Sequence, residues 1–284
     1  MDVAYYPGCS LDGTAREYGE SLEAVSRHLG VNLRELADWS CCGTSSAHIT
    51  DDALALGLSA RNLEIADRTG LDLLVPCAAC YSRLKPGDHD IKQNPAGDFA
   101  PAHYKGEFQI LHAGDFFNEK VGLQAIAGKV VRPLAGLKVV CYYGCLITRP
   151  PKITGATDPD NPEAMDNIMS ALGAEVKPWS FKTDCCGASH ILTLPQVAYR
   201  MVAKLLDMAA EADADAVVCG CPMCQSNLDS WQADISRETG KTYEMPIFFF
   251  TELMGLAFGQ PDIGKWLSRH AADPKPLLKS LNLL

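Results

Sequence analysis

A chain of 284 residues has room for two modest domains, and 47% hydrophobic residues supply enough apolar material for packed cores. The formal net charge of −10 leaves no basic stripe to neutralise phosphates, which excludes a nucleic-acid partner. No stretch approaches the roughly 20 apolar residues that span a bilayer, and the opening Met1-Asp2-Val3-Ala4-Tyr5-Tyr6 is acidic and strand-like, unlike a secretory leader, so a cytoplasmic protein without a membrane span is expected.

Taken in order, Asp2 to Tyr6 reads as a short buried strand ending at Pro7-Gly8. Tyr18, Leu22, Val25 and Leu29 repeat at helical spacing within Thr14–Leu29, with Gly30 as the stop. Val31 to Trp39 reads as a second strand. Asp51 and Asp52 place negative charge at the start of a helix running to Arg68, with Gly70 beyond it, and Leu71 to Val75 is a third strand. The stretch Lys85–Gly106 is rich in Gly, Pro, Asp and His without clear period and reads as a long surface loop.

The second half repeats the order. Leu137–Tyr143, Ala174–Ser180 and Ala216–Cys219 read as strands, and Pro162–Leu172 and Pro195–Ala212 as helices. Ile247-Phe248-Phe249-Phe250 reads as a buried strand or the start of a helix, and a tail follows Gln260, lying across a partner or its own lobe. Strands alternating with helices predict an α/β fold: two similar lobes, each a small parallel sheet flanked by helices, with its functional loops at the C-terminal edge of the strands. The expected boundaries are 1–132, 133–260 and a tail 261–284.

The cysteines carry the chemistry. Cys41-Cys42-Gly43 recurs as Cys185-Cys186-Gly187; upstream stand Tyr6-Pro7-Gly8-Cys9 and Tyr142-Tyr143-Gly144-Cys145, and downstream Cys77/Cys80 and Cys221/Cys224. The interval from Cys42 to Cys77 and from Cys186 to Cys221 is the same, 35 positions, whereas Cys9 to Cys41 spans 32 and Cys145 to Cys185 spans 40. A duplicated metal-binding unit follows. Twelve cysteines without an export signal suit reduced thiols better than six disulfides, and adjacent cysteines cannot bridge without severe strain. Each half offers five cysteines. Zinc takes four ligands in a tetrahedron, and a cubane iron–sulfur cluster also takes four. Neighbouring sulfurs seldom aim at one small ion, but they can reach different irons of a wider cluster, so iron–sulfur binding is favoured over zinc. Cys141 and Cys219 fall outside the pattern, inside apolar strands, and read as small core residues.

This pattern, present twice, resembles the cysteine-rich CCG domain, and among its members the B-type subunit of heterodisulfide reductases. Tyr143-Gly144-Cys145-Leu146-Ile147-Thr148-Arg149-Pro150, Asp158-Pro159-Asp160-Asn161-Pro162 and the run from Pro246 through Ala257 add to the likeness, which covers Tyr5 to about Gly259. The first copy carries Cys-Cys-Gly where some archaeal members have Cys-Cys-Pro. The resemblance implies two non-cubane [4Fe–4S] clusters, one on Cys9, Cys41, Cys42, Cys77 and Cys80, the other on Cys145, Cys185, Cys186, Cys221 and Cys224. It implies an oxidoreductase subunit that cleaves a small disulfide into two thiols, the coenzyme M–coenzyme B heterodisulfide in a methanogen or a related disulfide elsewhere. It also implies partners: a ferredoxin-like subunit with cubane clusters, a flavin subunit, and a hydrogenase or formate dehydrogenase module. The alternatives are a CCG redox subunit of glycolate or lactate oxidation, or of a fumarate- or quinone-linked complex, and a non-catalytic electron relay.

On the substrate side, His48 and His190 follow the paired cysteines and could donate protons, and Arg149 could pair with an anionic substrate end; Arg83 carries the same reading more weakly. His28, His89, His103, His112 and His270 belong to no constellation and read as surface or core residues. No glycine-rich phosphate loop is present.

Overall fold

The computed structural model describes every residue from Met1 to Leu284 except Ser45. Among the described residues, eight strands form two four-stranded sheets, and all six pairings between neighbours are parallel. The first contains β1 (Asp2–Tyr5), β2 (Asn32–Glu35), β3 (Leu73–Val75) and β4 (Ile110–His112) in the order β2-β1-β3-β4. The second contains β5 (Lys138–Tyr142), β6 (Glu175–Val176), β7 (Ala216–Cys219) and β8 (Ile247–Phe249) in the order β6-β5-β7-β8. Identical strand order makes the lobes copies in topology as well as in cysteine spacing.

The inner strands read as continuous apolar runs because helices cover both their faces. β3 and β7 are buried at every position, while the edge strand β2 is mostly exposed. Helices Arg16–His28 and Asp52–Asp67 start and stop close to the expected bounds. Asp51 caps the latter, its carboxylate accepting from the Ala53 and Leu54 amides.

Several elements differ from expectation. The second strand ends at Glu35, and the chain turns away through Asp38 at φ +56°. In the other lobe the ladder stops at Val176; Lys177 still bonds to Val139, but Pro178 has no N–H to continue it. The first sheet gains an unexpected fourth strand, β4. The Ile247–Phe250 tract is both things at once: β8 ends at Phe249 and a helix starts at Phe250.

The Lys85–Gly106 loop reading needs correction, because Ala78–Gln93 is one helix carrying Pro86 inside it. An internal proline costs a helix about 3 kcal/mol, which burial on one side offsets. Cys80, Leu84, Gly87 and Ile91 repeat at helical spacing and are buried. Gly87 permits close approach to the neighbouring helix, since a Cβ there would lie 2.8 Å from the Ser59 Cβ. Small and polar residues at these contact positions hid the period.

The longer Cys145–Cys185 interval also has a structural reason. The segment after Cys145 crosses to the other lobe, where the Pro151–Thr154 turn packs on the Ala78–Gln93 helix. The lobes are further joined by exchanged helix contacts. Arg16–His28 packs on Phe250–Ala257, and Ala164–Ala171 packs on the helical segment Phe116–Ala127. At the first of these contacts Ser21 Oγ and Thr251 Oγ1 lie 2.6 Å apart, out of solvent.

The tail lies on its own chain. Arg269 reaches Glu20 of the first lobe at 2.8 Å, while the Ala271 and Ala272 amides donate to Asp229 of the second. Trp266 is buried against Gly255, where a Cβ would come within 2.6 Å of its ring.

Candidate metal centres

In each lobe three loops deliver the repeated cysteines to the C-terminal edge of the sheet. Cys9 opens a short helical turn just after β1. Cys41 and Cys42 lie on the loop beyond β2, and Cys77 and Cys80 lie at the start of the helix following β3. Cys145, Cys185, Cys186, Cys221 and Cys224 occupy the same places after β5, β6 and β7. Helix N-termini at Ala78 and Pro222 favour negative charge on the adjacent sulfurs.

The glycines of the motif have a steric reason. Gly8 and Gly144 adopt φ +71° and +69°, and a Cβ on them would sit 2.8 Å from Cys80 Sγ and 3.1 Å from Cys224 Sγ. Gly43 and Gly187, at φ +74° and +80°, would meet Leu58 and Ala47 in one lobe and Met201 and Ala198 in the other. The backbone therefore comes as close to the sulfurs as a glycine allows.

The five sulfurs of each lobe divide into a pair and a trio. Cys42 Sγ lies 3.4 Å from Cys80 Sγ; Cys77 is near enough to Cys80, and Cys41 to Cys9, to raise the pKa of the Cys80 and Cys9 thiols. In the second lobe Cys186 Sγ lies 3.6 Å from Cys224 Sγ, Cys224 contacts Cys221, and Cys145 is paired with Cys185. The adjacent cysteines thus face different neighbours in both copies. Both trios are buried, whereas Cys9, Cys41 and Cys185 are exposed and Cys145 is half-buried. Among the described residues no three ligand-type side chains converge on the position of a single metal ion.

Mutual hydrogen bonding spreads the thiol acidities. The adjacent Cys80 thiol, aided by the Thr44 backbone amide, holds Cys42 down at about 6, and Cys80 itself is pushed well up by Cys42 and Cys77. Thr44 Oγ1 lies 3.2 Å from Cys42 Sγ and donates to the Ala79 carbonyl, tying the two loops together. Cys185 is held at about 6 by the Cys145 thiol, with the Gly187 amide and the charge of His190 acting the same way, while Cys145 is raised by Cys185. Five thiols assembled in this way, some already acidic, suit a thiophilic metal group several ångströms across.

The other predicted residues are placed as follows. His190 is exposed at the end of the 188–190 turn, close enough for its charge to act on Cys185; His48 lies on the corresponding Ala47–Thr50 turn of the first lobe. Arg149 is engaged by Asp160 and by the Thr183 carbonyl and hydroxyl, so its guanidinium braces the loop after Cys145. Arg83 is half-buried on the Ala78–Gln93 helix. Cys141 and Cys219 are fully buried in β5 and β7, and burial pushes both thiols far up. His28 stacks on Phe258, and His89 and His103 are exposed. His112 and His270 sit in buried polar contacts that pattern reading missed.

Sequence reading also missed supporting residues around the sulfurs. Asn227 Nδ2 donates to the Cys186 carbonyl at 2.8 Å. Lys182, almost fully buried, donates to Asp166 at 2.9 Å and to the Pro162 carbonyl at 2.9 Å. Asp166 in turn accepts from the Tyr143 hydroxyl at 2.6 Å, two residues before Cys145. The position of Lys182, three before Cys185, was a usable signal: the first copy has Asp38 there, so the lobes differ.

Comparison with known proteins supplies the family. The cysteine-rich CCG domain model matches residues 3–85 and 139–229. The 8-methylmenaquinol:fumarate reductase membrane anchor subunit of Wolinella succinogenes is 31% identical over 280 residues, covering 97% of this chain and 99% of that one. The B-type subunit of the ferredoxin/F(420)H(2)-dependent CoB-CoM heterodisulfide reductase of Methanosarcina acetivorans is 26% identical, covering 92% of this chain and 90% of that one. An Archaeoglobus profundus protein, named for its likeness to the same heterodisulfide reductase subunit, is also 26% identical and covers 89% of each chain. A crystal structure of a hypothetical Helicobacter pylori protein superposes with TM-score 0.75 at 14% identity, over 96% of this chain, which spans about half (52%) of that one. No helix of the described residues is long and apolar enough to cross a membrane. With two matched copies of the domain and relatives that align end to end, the chain belongs to the CCG cysteine-rich domain family.

Proposed function

We propose that the chain is the catalytic iron–sulfur subunit of a heterodisulfide reductase-like complex, reducing a small disulfide to two thiols. The observation that carries this reading is the division of five sulfurs into a more open pair and a buried trio, repeated in both lobes with Cys145 half-buried where Cys9 is exposed. A non-cubane [4Fe–4S] cluster in each lobe would be held by Cys9, Cys41, Cys42, Cys77 and Cys80, and by Cys145, Cys185, Cys186, Cys221 and Cys224. Such clusters supply one electron apiece and an iron able to accept a sulfur ligand.

The chain's own residues do the rest. The buried trios hold each group in the core, while Cys9/Cys41 and Cys145/Cys185 leave one side open to solvent. Cleaving R–S–S–R′ consumes two electrons and two protons and yields RSH and R′SH. The electrons come from a partner protein with cubane clusters, itself served by a flavin subunit. His190, exposed on the turn after Cys185, would deliver a proton to a departing thiolate, with His48 on the corresponding turn of the first lobe. Arg149, engaged by Asp160 and Thr183, would support the loop after Cys145.

A second reading is favoured by the 31% identity to a fumarate reductase membrane anchor subunit over nearly the full length. In that case the same sites relay electrons between a quinol and a fumarate-reducing partner, and no disulfide is cleaved. Electron paramagnetic resonance of the oxidised, anaerobically purified protein separates the two. A new signal on adding one thiol product supports direct sulfur–metal contact. An unchanged spectrum with every thiol tried would overturn disulfide reduction and leave the relay.

A further inference from the structure

Pro76 and Gly220 stand at the same place in the two repeats, one residue before Cys77 and Cys221. Their carbonyls meet at one side chain. The Tyr18 hydroxyl, carried on Arg16–His28 of the first lobe, lies 3.3 Å from the Pro76 carbonyl and 3.2 Å from the Gly220 carbonyl. A phenol has one proton, so these two acceptors in different lobes share it. The ring cannot move aside, because it is fully buried and stacks on Phe249 with centroids 4.3 Å apart and planes 1° from parallel.

Gly220 takes a second donor from the first lobe. His112, at the end of β4, accepts from the Gly114 amide through Nδ1, which places its proton on Nε2; Nε2 then donates to the Gly220 carbonyl at 3.1 Å. Burial holds this imidazole down at about 4, so it stays neutral. Side-chain space at position 220 is already occupied: a Cβ there would lie 2.9 Å from His112 Cε1. Any residue but glycine would push the donor off its acceptor.

We infer that Tyr18, His112 and Gly220 form an inter-lobe clamp that fixes the distance between the two cysteine sites, with Tyr18 and His112 as positioning residues. The clamp grips the backbone directly behind a buried sulfur in each lobe, where rigid-body slip of the lobes would otherwise change the gap. Two one-electron centres acting on one ligand need that gap constant, because misplacement by about 1 Å is enough to cost about a hundredfold in rate. This inference rests on the reading of the chain as a carrier of two clusters.

The test is the cluster-to-cluster distance distribution, read by pulsed dipolar electron paramagnetic resonance on the purified holoprotein without substrate. Wild type should give one narrow distance. Tyr18→Phe, which keeps the stack and loses only the hydroxyl, and His112→Leu should broaden it at unchanged iron content. His112→Gln can place an N–H near the position of Nε2 and should restore a narrow distribution. Narrow distributions in both Tyr18→Phe and His112→Leu at full iron would overturn the clamp.

Amide hydrogen exchange on the same full-length proteins provides a second arm that does not need the clusters. Tyr18→Phe should speed exchange about tenfold in both the 76–80 and 220–224 loops, the effect of losing one shared hydrogen bond. Unchanged exchange in the 220–224 loop would also overturn the clamp. A chain found to hold no iron–sulfur cluster would instead sink the proposed function, leaving the exchange arm to judge the clamp by itself.

Discussion

His270 Nε2 lies 2.9 Å from the Glu252 carboxylate, with both side chains fully shielded from water. Burial alone would hold the imidazole neutral, but Glu252, then Asp229 and Glu17, outweigh it and raise its pKa to about 9. The tail carrying His270 is thus fastened by charge to the helix that follows β8. The raised value sets the sign of a pH effect. Stability from this contact is fully present below the unfolded imidazole's pKa near 6.5 and is lost as pH rises through about 9, amounting to about 3 kcal/mol. The urea midpoint, measured anaerobically, should fall between pH 6 and pH 9.5, and His270→Ala should abolish most of that fall. An equal fall in the variant would place the pH dependence elsewhere.

The division of the sulfurs makes a quantitative prediction about metal content. Cys42 and Cys186 each belong to a buried trio. Cys42→Ala and Cys186→Ala should each lose about half of about eight irons per chain, while the other lobe keeps its share. Iron analysis with sulfide analysis checks this. Wild-type content near zero, or zinc in place of iron, would remove the five-ligand argument.

Gly8 and Gly144 test the close approach of backbone to sulfur. Gly8→Ala forces a Cβ to within 2.8 Å of Cys80 Sγ at φ +71°, and Gly144→Ala one to within 3.1 Å of Cys224 Sγ. Each should cost about 1–3 kcal/mol from the backbone conformation alone, and each should lower iron uptake chiefly in its own lobe. The effect should be larger for Gly8, where the contact is tighter. Thermal melts and iron content of the two variants give the comparison.

Lys182 and Asp166 form an ion pair with side chains only 7% and 15% exposed. Removing one member strands the other in the interior. Lys182→Met should destabilise the protein by about 3–5 kcal/mol, and the double variant Lys182→Met/Asp166→Leu should recover part of that loss. Urea titrations of wild type, Lys182→Met, Asp166→Leu and the double variant complete the cycle. A single variant as stable as wild type would mean the pair contributes nothing to holding the Cys145 turn.

Much of the molecule is legible in the chain itself. The cysteine spacing, repeated at 35 positions, identifies the duplicated unit, because ligand chemistry restricts residue type and loop length together. Apolar periods and stop glycines locate the main helices, and alternation of strand with helix implies parallel sheets. Local rules fail where local composition opposes a tertiary contact. The Ala78–Gln93 helix runs through Pro86 because its Leu84, Gly87 and Ile91 face is buried, and a glycine on that face carries no hydrophobic signal.

Sequence alone determined which residues could bind metal and how many sulfurs each lobe offers. Only the tertiary structure decided how those sulfurs group, with Cys41 turned toward Cys9 and Cys42 toward Cys80. It alone decided too that Tyr18 meets a carbonyl 202 residues away, and that the tail closes over both lobes. The physical reason is range. Spacing and periodicity record contacts along one element, whereas pairings between distant elements are set by how two complete lobes pack, and leave no repeat in the chain to read.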